Sequence, residues 1–217
     1  MSNEIQAIAT RWWWVRHAPV VGADSGRLSG QNDVPADLSD RAAFAFLAPQ
    51  LPQGAAWLTT PLQRTRQTAE ALWAAGADRA EPAIEPAFQE QAFGDWTGMT
   101  WTDIARRPES EAFWADAAHA VPPNAVTGRL AESFADVCRR VTRRMDELTV
   151  EFAGRDIVCV AHAGSIRAAV AHALGLTPEQ ALALDVQNTA LTRLDHFTSG
   201  LKTLRGGNWR VVALNRI

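Results

Sequence analysis

The sequence contains few of the features that hold together very small proteins or anchor proteins in membranes. Only two cysteines, Cys138 and Cys159, occur in 217 residues, which excludes a disulfide scaffold and a cysteine-built zinc site. No uncharged apolar run reaches the roughly 18 residues of a membrane span. The N-terminal residues show no apolar segment followed by a small-residue cleavage site. We therefore expect a soluble, cytoplasmic protein without a membrane partner.

The sequence also lacks a large excess of positive or negative charge. The net charge is −3 and the isoelectric point is about 6.0, which argues against a general nucleic-acid partner. Lys202 is the only lysine, so any anion site must be built from arginine, histidine or backbone N–H groups.

What is present is the composition of an ordinary globular chain, with 47% hydrophobic and 21% charged residues. Short apolar segments at 10–15, 55–60, 156–161, 190–197 and 209–214 predict strands. Helices are predicted at 40–48 with Ser39 as N-cap, at 61–75, 109–118 and 132–152, and in a stretch that follows Ser165 and runs to Leu174. Gly206 and Gly207 predict a turn between the last two strands. This alternation predicts a single α/β domain over residues 1–217.

The segment 132–152 has the clearest helical period, with its apolar side chains on one face. Its arginines, opposite that face, are predicted to be solvated and to pair at i,i+4 as Asp136 with Arg140 and Arg143 with Glu147. On the first strand, Trp12, Trp13 and Trp14 alternate, so at least one face is predicted to be core.

Two predicted strands end directly in a histidine: the first in Arg16-His17 and the strand 156–161 in His162. Ligands of open α/β sheets gather at the carboxyl ends of strands, so the two imidazoles are expected to share a pocket. Histidine is a nucleophile and proton carrier near neutral pH. The alternative is two ordinary loop histidines.

Arg64 follows the end of a third predicted strand. The guanidinium groups of Arg16 and Arg64 can each donate two hydrogen bonds to an oxyanion. Arg66 lies two residues later in the same predicted helix, and only one of Arg64 and Arg66 needs to face the pocket. The other arginine would then be an ordinary surface residue. Glu90 is the candidate acid, with Glu85 and Asp95 as competitors for that role.

Six blocks, in order, resemble signatures of the histidine phosphatase superfamily, the phosphoglycerate-mutase-like enzymes. They are R-H-A at 16–18, T-T-P-L-Q-R-T-R-Q-T-A at 59–69, F-Q-E-Q-A-F-G-D-W-T-G at 88–98, A-E-S at 131–133, H-A-G-S-I-R at 162–167 and N-T at 188–189. The sequence departs from the family pattern by alanine in place of glycine at Ala18, Ala131 and Ala163. Each alanine costs about 1 kcal/mol if its backbone needs positive φ, and otherwise narrows the pocket. Val20 and Ala23 replace polar residues of the pattern.

The resemblance implies a three-layer α/β/α fold with a mostly parallel central sheet and a small helical cap at about 97–130. It also implies a mechanism in which His17 becomes phosphohistidine and Glu90 protonates the leaving oxygen. Arg16, Arg64 and His162 then hold the phosphoryl oxygens, and neither a metal nor a cofactor is required.

The same resemblance implies substrate contacts from Ser29 and Gly30, which lie in an R-L-S-G loop, and from Ala163. Trp96 and Trp101 are candidates to stack on a base or sugar, and the alternative is that these aromatic side chains pack the cap onto the body of the domain. The pattern is similar to bacterial α-ribazole phosphatase-like members. The expected partner is a small phosphorylated metabolite such as α-ribazole phosphate, a sugar phosphate or a nucleotide, and the protein is expected to be a monomer or homodimer.

Three alternatives stay open at this point. One is a mutase-type phosphotransferase, and another is a non-catalytic phosphate-binding protein that kept the fold. The third is a metal-dependent hydrolase using His162 and His172, although a spacing of ten residues is not a compact ligand spacing.

Overall fold

The computed structural model describes residues 8–23, 26–198 and 208–217. These residues form a six-stranded sheet with the order β3-β2-β4-β1-β5-β6. The strands are β1 Ala9–Arg16, β2 Ala56–Thr59, β3 Ala83–Ile84, β4 Asp156–Ala161, β5 Leu191–Phe197 and β6 Trp209–Arg216. The predicted turn at Gly206 and Gly207 lies outside the described residues.

The sheet is mostly parallel, as predicted. Strand β4 pairs in parallel with both β1 and β2, and β2 pairs in parallel with β3. Strands β5 and β6 extend the sheet antiparallel beyond β1. Because β1, β2 and β4 run in the same direction, their carboxyl ends meet at one edge of the sheet.

Seven helices are found in the described part of the chain. They are α1 Arg41–Leu47, α2 Gln63–Ala74, α3 Trp101–Ala105, α4 Ser110–Ala115, α5 Phe134–Glu151, α6 Ala163–Leu174 and α7 Pro178–Leu182. None of them is long and apolar enough to cross a membrane.

The core lies in two layers, one on each side of the sheet. Trp12 and Trp14 are fully buried and stacked, with ring centroids 5.1 Å apart, on the face that packs against α5 and α6. Val15, also fully buried, faces the second layer beneath α1 and α2. Alternate side chains of β1 therefore serve opposite layers, as the period of a strand requires, and this confirms the three-layer prediction.

Helix α1 begins one residue later than predicted. Asp40, not Ser39, is the N-cap, and its Oδ1 accepts a hydrogen bond from the Ala43 N–H at 3.0 Å. The backbone N–H of Ser39 instead donates a hydrogen bond to Asp37 Oδ1 at 2.9 Å.

The prediction that the arginines of α5 are all solvated is wrong for Arg140, whose side chain is largely buried. Asp136 is engaged in the Ser133 capping box and pairs with Arg139 at i,i+3. Arg140 therefore pairs with Glu132 at 2.9 Å rather than with Asp136. The predicted pair between Arg143 and Glu147 is present.

The cap region holds the short helices α3 and α4, and α4 is shorter than the predicted helix at 109–118. A small third apolar cluster supports the cap, formed by Leu28, Trp96, Ile104 and Phe113. Packing on this cluster stabilises α3 and α4, which have five and six residues, because helices so short gain their stability from tertiary packing.

Candidate active site

The parallel pairing of β1 and β4 brings the two strand-end histidines together. Arg16, the last residue of β1, is in register with Ala161, the last residue of β4. His17 and His162 follow these two residues, and their ring centroids lie 5.1 Å apart. The His17 N–H also donates to the Ala161 carbonyl at 2.9 Å, which extends the ladder to the site.

The side chain of His17 is held in one tautomer. Its Nδ1 lies 2.6 Å from the Ala18 carbonyl oxygen, which only accepts, so Nδ1 carries the proton. Nε2 then has a lone pair, and Arg64 Nε donates to it at 3.3 Å. Burial, together with the nearby Arg64 charge, lowers the pKa of His17 well below its ordinary value. His17 is therefore neutral at physiological pH, as a nucleophile must be.

Arg64 stands in the first turn of α2 and is only 1% exposed. Besides His17, it donates to the Gly30 carbonyl at 2.7 Å and to the Asn32 carbonyl at 2.8 Å. It thus ties the R-L-S-G loop to the nucleophile. Arg66, two residues later, is exposed. Of the two arginines that the sequence left open, Arg64 is the one that faces the site.

Arg16 extends from the end of β1 and donates to the Val186 carbonyl at 2.6 Å. Its Nε is buried and has no hydrogen-bond partner among the described residues. A buried donor without a partner is costly, so this atom is positioned to serve a bound anion. Asn188, a residue that sequence reasoning placed in a motif but not in the site, supports the turn by donating to the His17 carbonyl at 2.8 Å.

His162 lies behind His17 and is fully buried. Its Nε2 is 2.9 Å from the Thr60 hydroxyl, and its Nδ1 has no partner among the described residues. The Thr60 hydroxyl also lies 3.2 Å from the Thr65 hydroxyl, which itself donates to the Leu62 carbonyl at 2.8 Å. Burial and the Arg64 charge lower the pKa of His162 well below its ordinary value.

Glu90 reaches the N-terminus of α6. Its Oε1 accepts from the Gly164 N–H at 3.2 Å and from the Gln91 N–H at 3.0 Å. The two competing carboxylates are engaged elsewhere: Glu85 pairs with Arg144 at 2.7 Å, and Asp95 accepts from the Thr127 N–H at 2.7 Å. The geometry therefore favours Glu90 as the acid at this site.

A cavity of about 560 Å³ is lined by Arg16, His17, Arg64 and Glu90, whereas the fully buried His162 is not part of its lining. Ser29 and Gly30 also line it, in the position expected of substrate contacts. Ala163 does not, although its neighbour Gly164 does.

Trp96 corrects the prediction of a stacking residue. It is fully buried, packs edge-on against Phe113 with centroids 4.8 Å apart, and does not line the cavity. The indole is needed to fill the cap cluster, so it is not available to a substrate. Trp101 does line the cavity, together with Trp114, which the sequence had not singled out as a contact.

The alanine departures carry no backbone strain. Among the described residues, the non-glycine residues with positive φ are Thr189 and Asn215, so Ala18, Ala131 and Ala163 have ordinary backbones. The free-energy penalty that a positive φ would impose on an alanine therefore does not apply at these three positions. Within the described residues, no three histidine, cysteine or acidic side chains gather in an arrangement that holds a metal ion.

The comparison with known families agrees with this geometry. The family model of the histidine phosphatase superfamily (branch 1) matches residues 12–212. The chain belongs to the histidine phosphatase superfamily.

Individual relatives are moderately similar. A bifunctional protein of Mycobacterium tuberculosis is 30% identical over 152 residues, which are 70% of this chain and 40% of that protein. The chain thus spans about two fifths of the length of that relative. Glucosyl-3-phosphoglycerate phosphatase of Mycolicibacterium vanbaalenii is 33% identical over 177 residues, which are 75% of this chain and 73% of that protein.

Solved structures share the fold. A mycobacterial glucosyl-3-phosphoglycerate phosphatase aligns with a TM-score of 0.77 and 26% identity, covering 96% of this chain and all (100%) of that chain. The α-ribazole phosphatase of Shigella flexneri aligns with a TM-score of 0.78 and 22% identity, over 94% of this chain and 96% of that chain.

Proposed function

We propose that this protein is a metal-independent phosphomonoesterase that works through a phosphohistidine on His17. The observation that carries the proposal is the state of His17. It is a neutral imidazole with Nδ1 committed to the Ala18 carbonyl and Nε2 directed to Arg64 at the floor of the cavity. An arginine beside the lone pair repels a proton and attracts the phosphoryl oxygens that approach it.

The reaction has two steps. The Nε2 lone pair of His17 attacks phosphorus, the ester P–O bond breaks, and Glu90 gives its proton to the leaving oxygen. In the second step Glu90, now a carboxylate, takes a proton from water as that water attacks phosphorus. The P–N bond breaks, and inorganic phosphate and neutral His17 are restored.

The phosphoryl oxygens need donors while their charge is redistributed. The buried Arg16 Nε and the His162 Nδ1 have no partner among the described residues. Arg16 Nε–H supplies one donor, and His162 supplies a second in the tautomer that carries its proton on Nδ1. Arg64 adds a permanent positive charge beside His17. These groups are in place before substrate arrives, so little reorganisation is needed in the transition state.

The substrate is a small phosphorylated metabolite. The relatives named above support two examples, glucosyl-3-phosphoglycerate and α-ribazole phosphate, and the cavity of about 560 Å³ is large enough for a whole small molecule.

The test is hydrolysis of p-nitrophenyl phosphate in EDTA by the wild type and by His17→Ala. We expect turnover by the wild type only, and an acid-labile phosphoenzyme trapped in the wild type only. Turnover by His17→Ala at the wild-type rate would overturn the mechanism, and loss of wild-type activity in EDTA would contradict metal independence. Vanadate binding without turnover of any phosphoester would identify the protein as the non-catalytic phosphate-binding alternative.

A further inference from the structure

Two half-exposed tryptophans form part of the cavity wall contributed by the cap. Trp101, the first residue of α3, is 48% exposed, and Trp114 on α4 is 46% exposed. Their ring centroids are 6.0 Å apart and their planes are inclined by 49°. Exposing two indoles costs hydration free energy, and their place in the wall of a cavity marks them as a binding surface.

Six further apolar side chains line the same cavity: Leu28, Phe93, Phe113, Ala117, Phe134 and Leu182. The hydroxyl groups of a sugar would find no hydrogen-bond partner on these side chains, whereas a flat aromatic ring needs none. Gln91, a polar neighbour in the lining, already donates its amide N–H to the Glu132 carbonyl at 2.9 Å.

We infer that the leaving group of the substrate carries an aromatic ring that stacks on Trp101 and packs against Trp114, as in a nucleoside phosphate. This inference rests on the proposed function and adds the substrate class. Arg27 and Arg167, which also line the cavity, present guanidinium groups that suit the polar edge of such a ring.

Three primary-alcohol phosphates test the class, because their leaving oxygens are chemically alike. They are adenosine 5′-monophosphate, glucose 6-phosphate and glycerol 1-phosphate. We expect the highest kcat/KM for the nucleotide. Trp101→Ala should lower that value by about tenfold, as loss of one base–aromatic stack does, and leave the value for glycerol phosphate within about twofold. Trp101→Phe should restore most of the loss.

The outcomes separate the substrate class from the proposed function. An equal loss with all three substrates would assign Trp101 a structural role and overturn the inference. So would a preference for glucose 6-phosphate that survives Trp101→Ala. Calorimetric binding of adenosine 5′-monophosphate to His17→Ala, weakened about tenfold by adding Trp101→Ala, tests the stack without any turnover. Absence of turnover with p-nitrophenyl phosphate would contradict the proposed function alone.

A second inference comes from the A-E-S block, to which the proposed mechanism gives no role. Glu132 and Arg140 form a largely buried pair, with side chains 13% and 23% exposed. Arg140 Nε and Nη2 donate to the two carboxylate oxygens of Glu132 at 3.0 and 2.9 Å. This bidentate geometry has directional strength that a single contact lacks.

The pair is attached to the chain segment that carries Glu90. Arg140 donates to the carbonyls of Ala87 at 2.6 Å, Gln89 at 2.8 Å and Glu90 itself at 3.2 Å. Glu132 Oε1 accepts from the Ala92 N–H at 3.0 Å. The backbone on both sides of Glu90 is therefore hydrogen-bonded to one ion pair on and before α5.

We propose that Glu132 and Arg140 are positioning residues that hold Glu90 against the Gly164 N–H. If so, weakening the pair impairs proton transfer to the leaving oxygen rather than attack by His17. An alkoxide leaving group needs that proton, whereas 4-nitrophenolate is a stable anion and needs little protonation.

The experiment compares glycerol 1-phosphate with p-nitrophenyl phosphate in Arg140→Lys and Glu132→Gln. Melting temperatures check that both variants fold. We compare kcat/KM, which reports phosphorylation of His17 and not the later hydrolysis step that both esters share. We expect kcat/KM for glycerol phosphate to fall about tenfold or more, and kcat/KM for p-nitrophenyl phosphate to change by less than about threefold. Arg143→Ala is the matched control, because Arg143 is on the same helix, 84% exposed and paired with Glu147.

Equal losses with both esters, or no loss with either, would overturn the positioning role. A readout independent of turnover is the amide resonance of Gly164, which should shift in Arg140→Lys and stay in place in Arg143→Ala. An unshifted Gly164 amide in Arg140→Lys would also contradict the proposal.

Discussion

Arg64 Nε donates to His17 Nε2 across 3.3 Å, which places a guanidinium charge beside the nitrogen that carries the lone pair. The opposite nitrogen, Nδ1, is 2.6 Å from the Ala18 carbonyl, and this contact fixes the ring proton on Nδ1. Burial and the Arg64 charge lower the pKa of His17 and keep the ring neutral. The same charge that orients the ring also attracts the phosphoryl group that the ring attacks.

The first prediction concerns the protonation of the two site histidines. Because burial and Arg64 lower the pKa of both His17 and His162, neither imidazole should titrate near pH 6.5. Ring proton resonances, assigned with His17→Asn and His162→Asn, should stay constant between pH 8 and pH 6 (roughly one unit to either side of the usual histidine midpoint). A midpoint near 6.5 for either ring would contradict the assigned environment.

The second prediction follows from linkage between protonation and folding. A histidine with a lowered folded pKa binds its proton more tightly in the unfolded state, so the free energy of unfolding falls as pH drops below about 6.5. Between pH 7.5 and 5.5, each such histidine should lower the free energy of unfolding by about 1 kcal/mol. In urea titrations, His162→Asn should lose about 1 kcal/mol less than the wild type over this interval. An identical pH dependence in the two proteins would refute the linkage.

The third prediction concerns Gly164, whose backbone lies against the Glu90 carboxylate. A Cβ at this position would overlap Glu90 Oε1, and the φ of Gly164 is not one that requires glycine. Gly164→Ala should therefore displace the acid and lower kcat with alkyl phosphates by about 10- to 100-fold. Alanine favours the helix, so the melting temperature should stay close to that of the wild type. Full activity of Gly164→Ala would show that Glu90 is not needed in this position.

The fourth prediction uses two neighbouring threonines as a matched pair. Thr60→Val removes the hydroxyl that holds His162 Nε2 at 2.9 Å, so kcat/KM and vanadate affinity should each fall about fivefold to tenfold. Thr59 is also fully buried, but its hydroxyl has no partner among the described residues. Thr59→Val should leave activity unchanged and stabilise the fold by about 1 kcal/mol. Equal effects of the two substitutions would remove the role of Thr60 in orienting His162.

Much of the fold could be read from local patterns. The alternation of Trp12, Trp13 and Trp14 predicts at least one core face, and the apolar period before Phe152 predicts α5. Both signals are local, because side-chain direction repeats every two residues in a strand and every 3.6 in a helix. The two histidines were assigned to one pocket for a similar reason, since both follow apolar strands directly.

Local sequence patterns were enough to predict the α/β alternation, the strand ends that carry His17, Arg64 and His162, and the order of the family motifs. They were not enough to predict which long side chains face the site. In the folded chain Trp96 lies in the cap core, Trp101 lines the cavity, and Arg140 donates to the Glu90 segment. The physical reason is that these choices depend on packing between segments far apart in the chain, and local periodicity carries no information about such contacts.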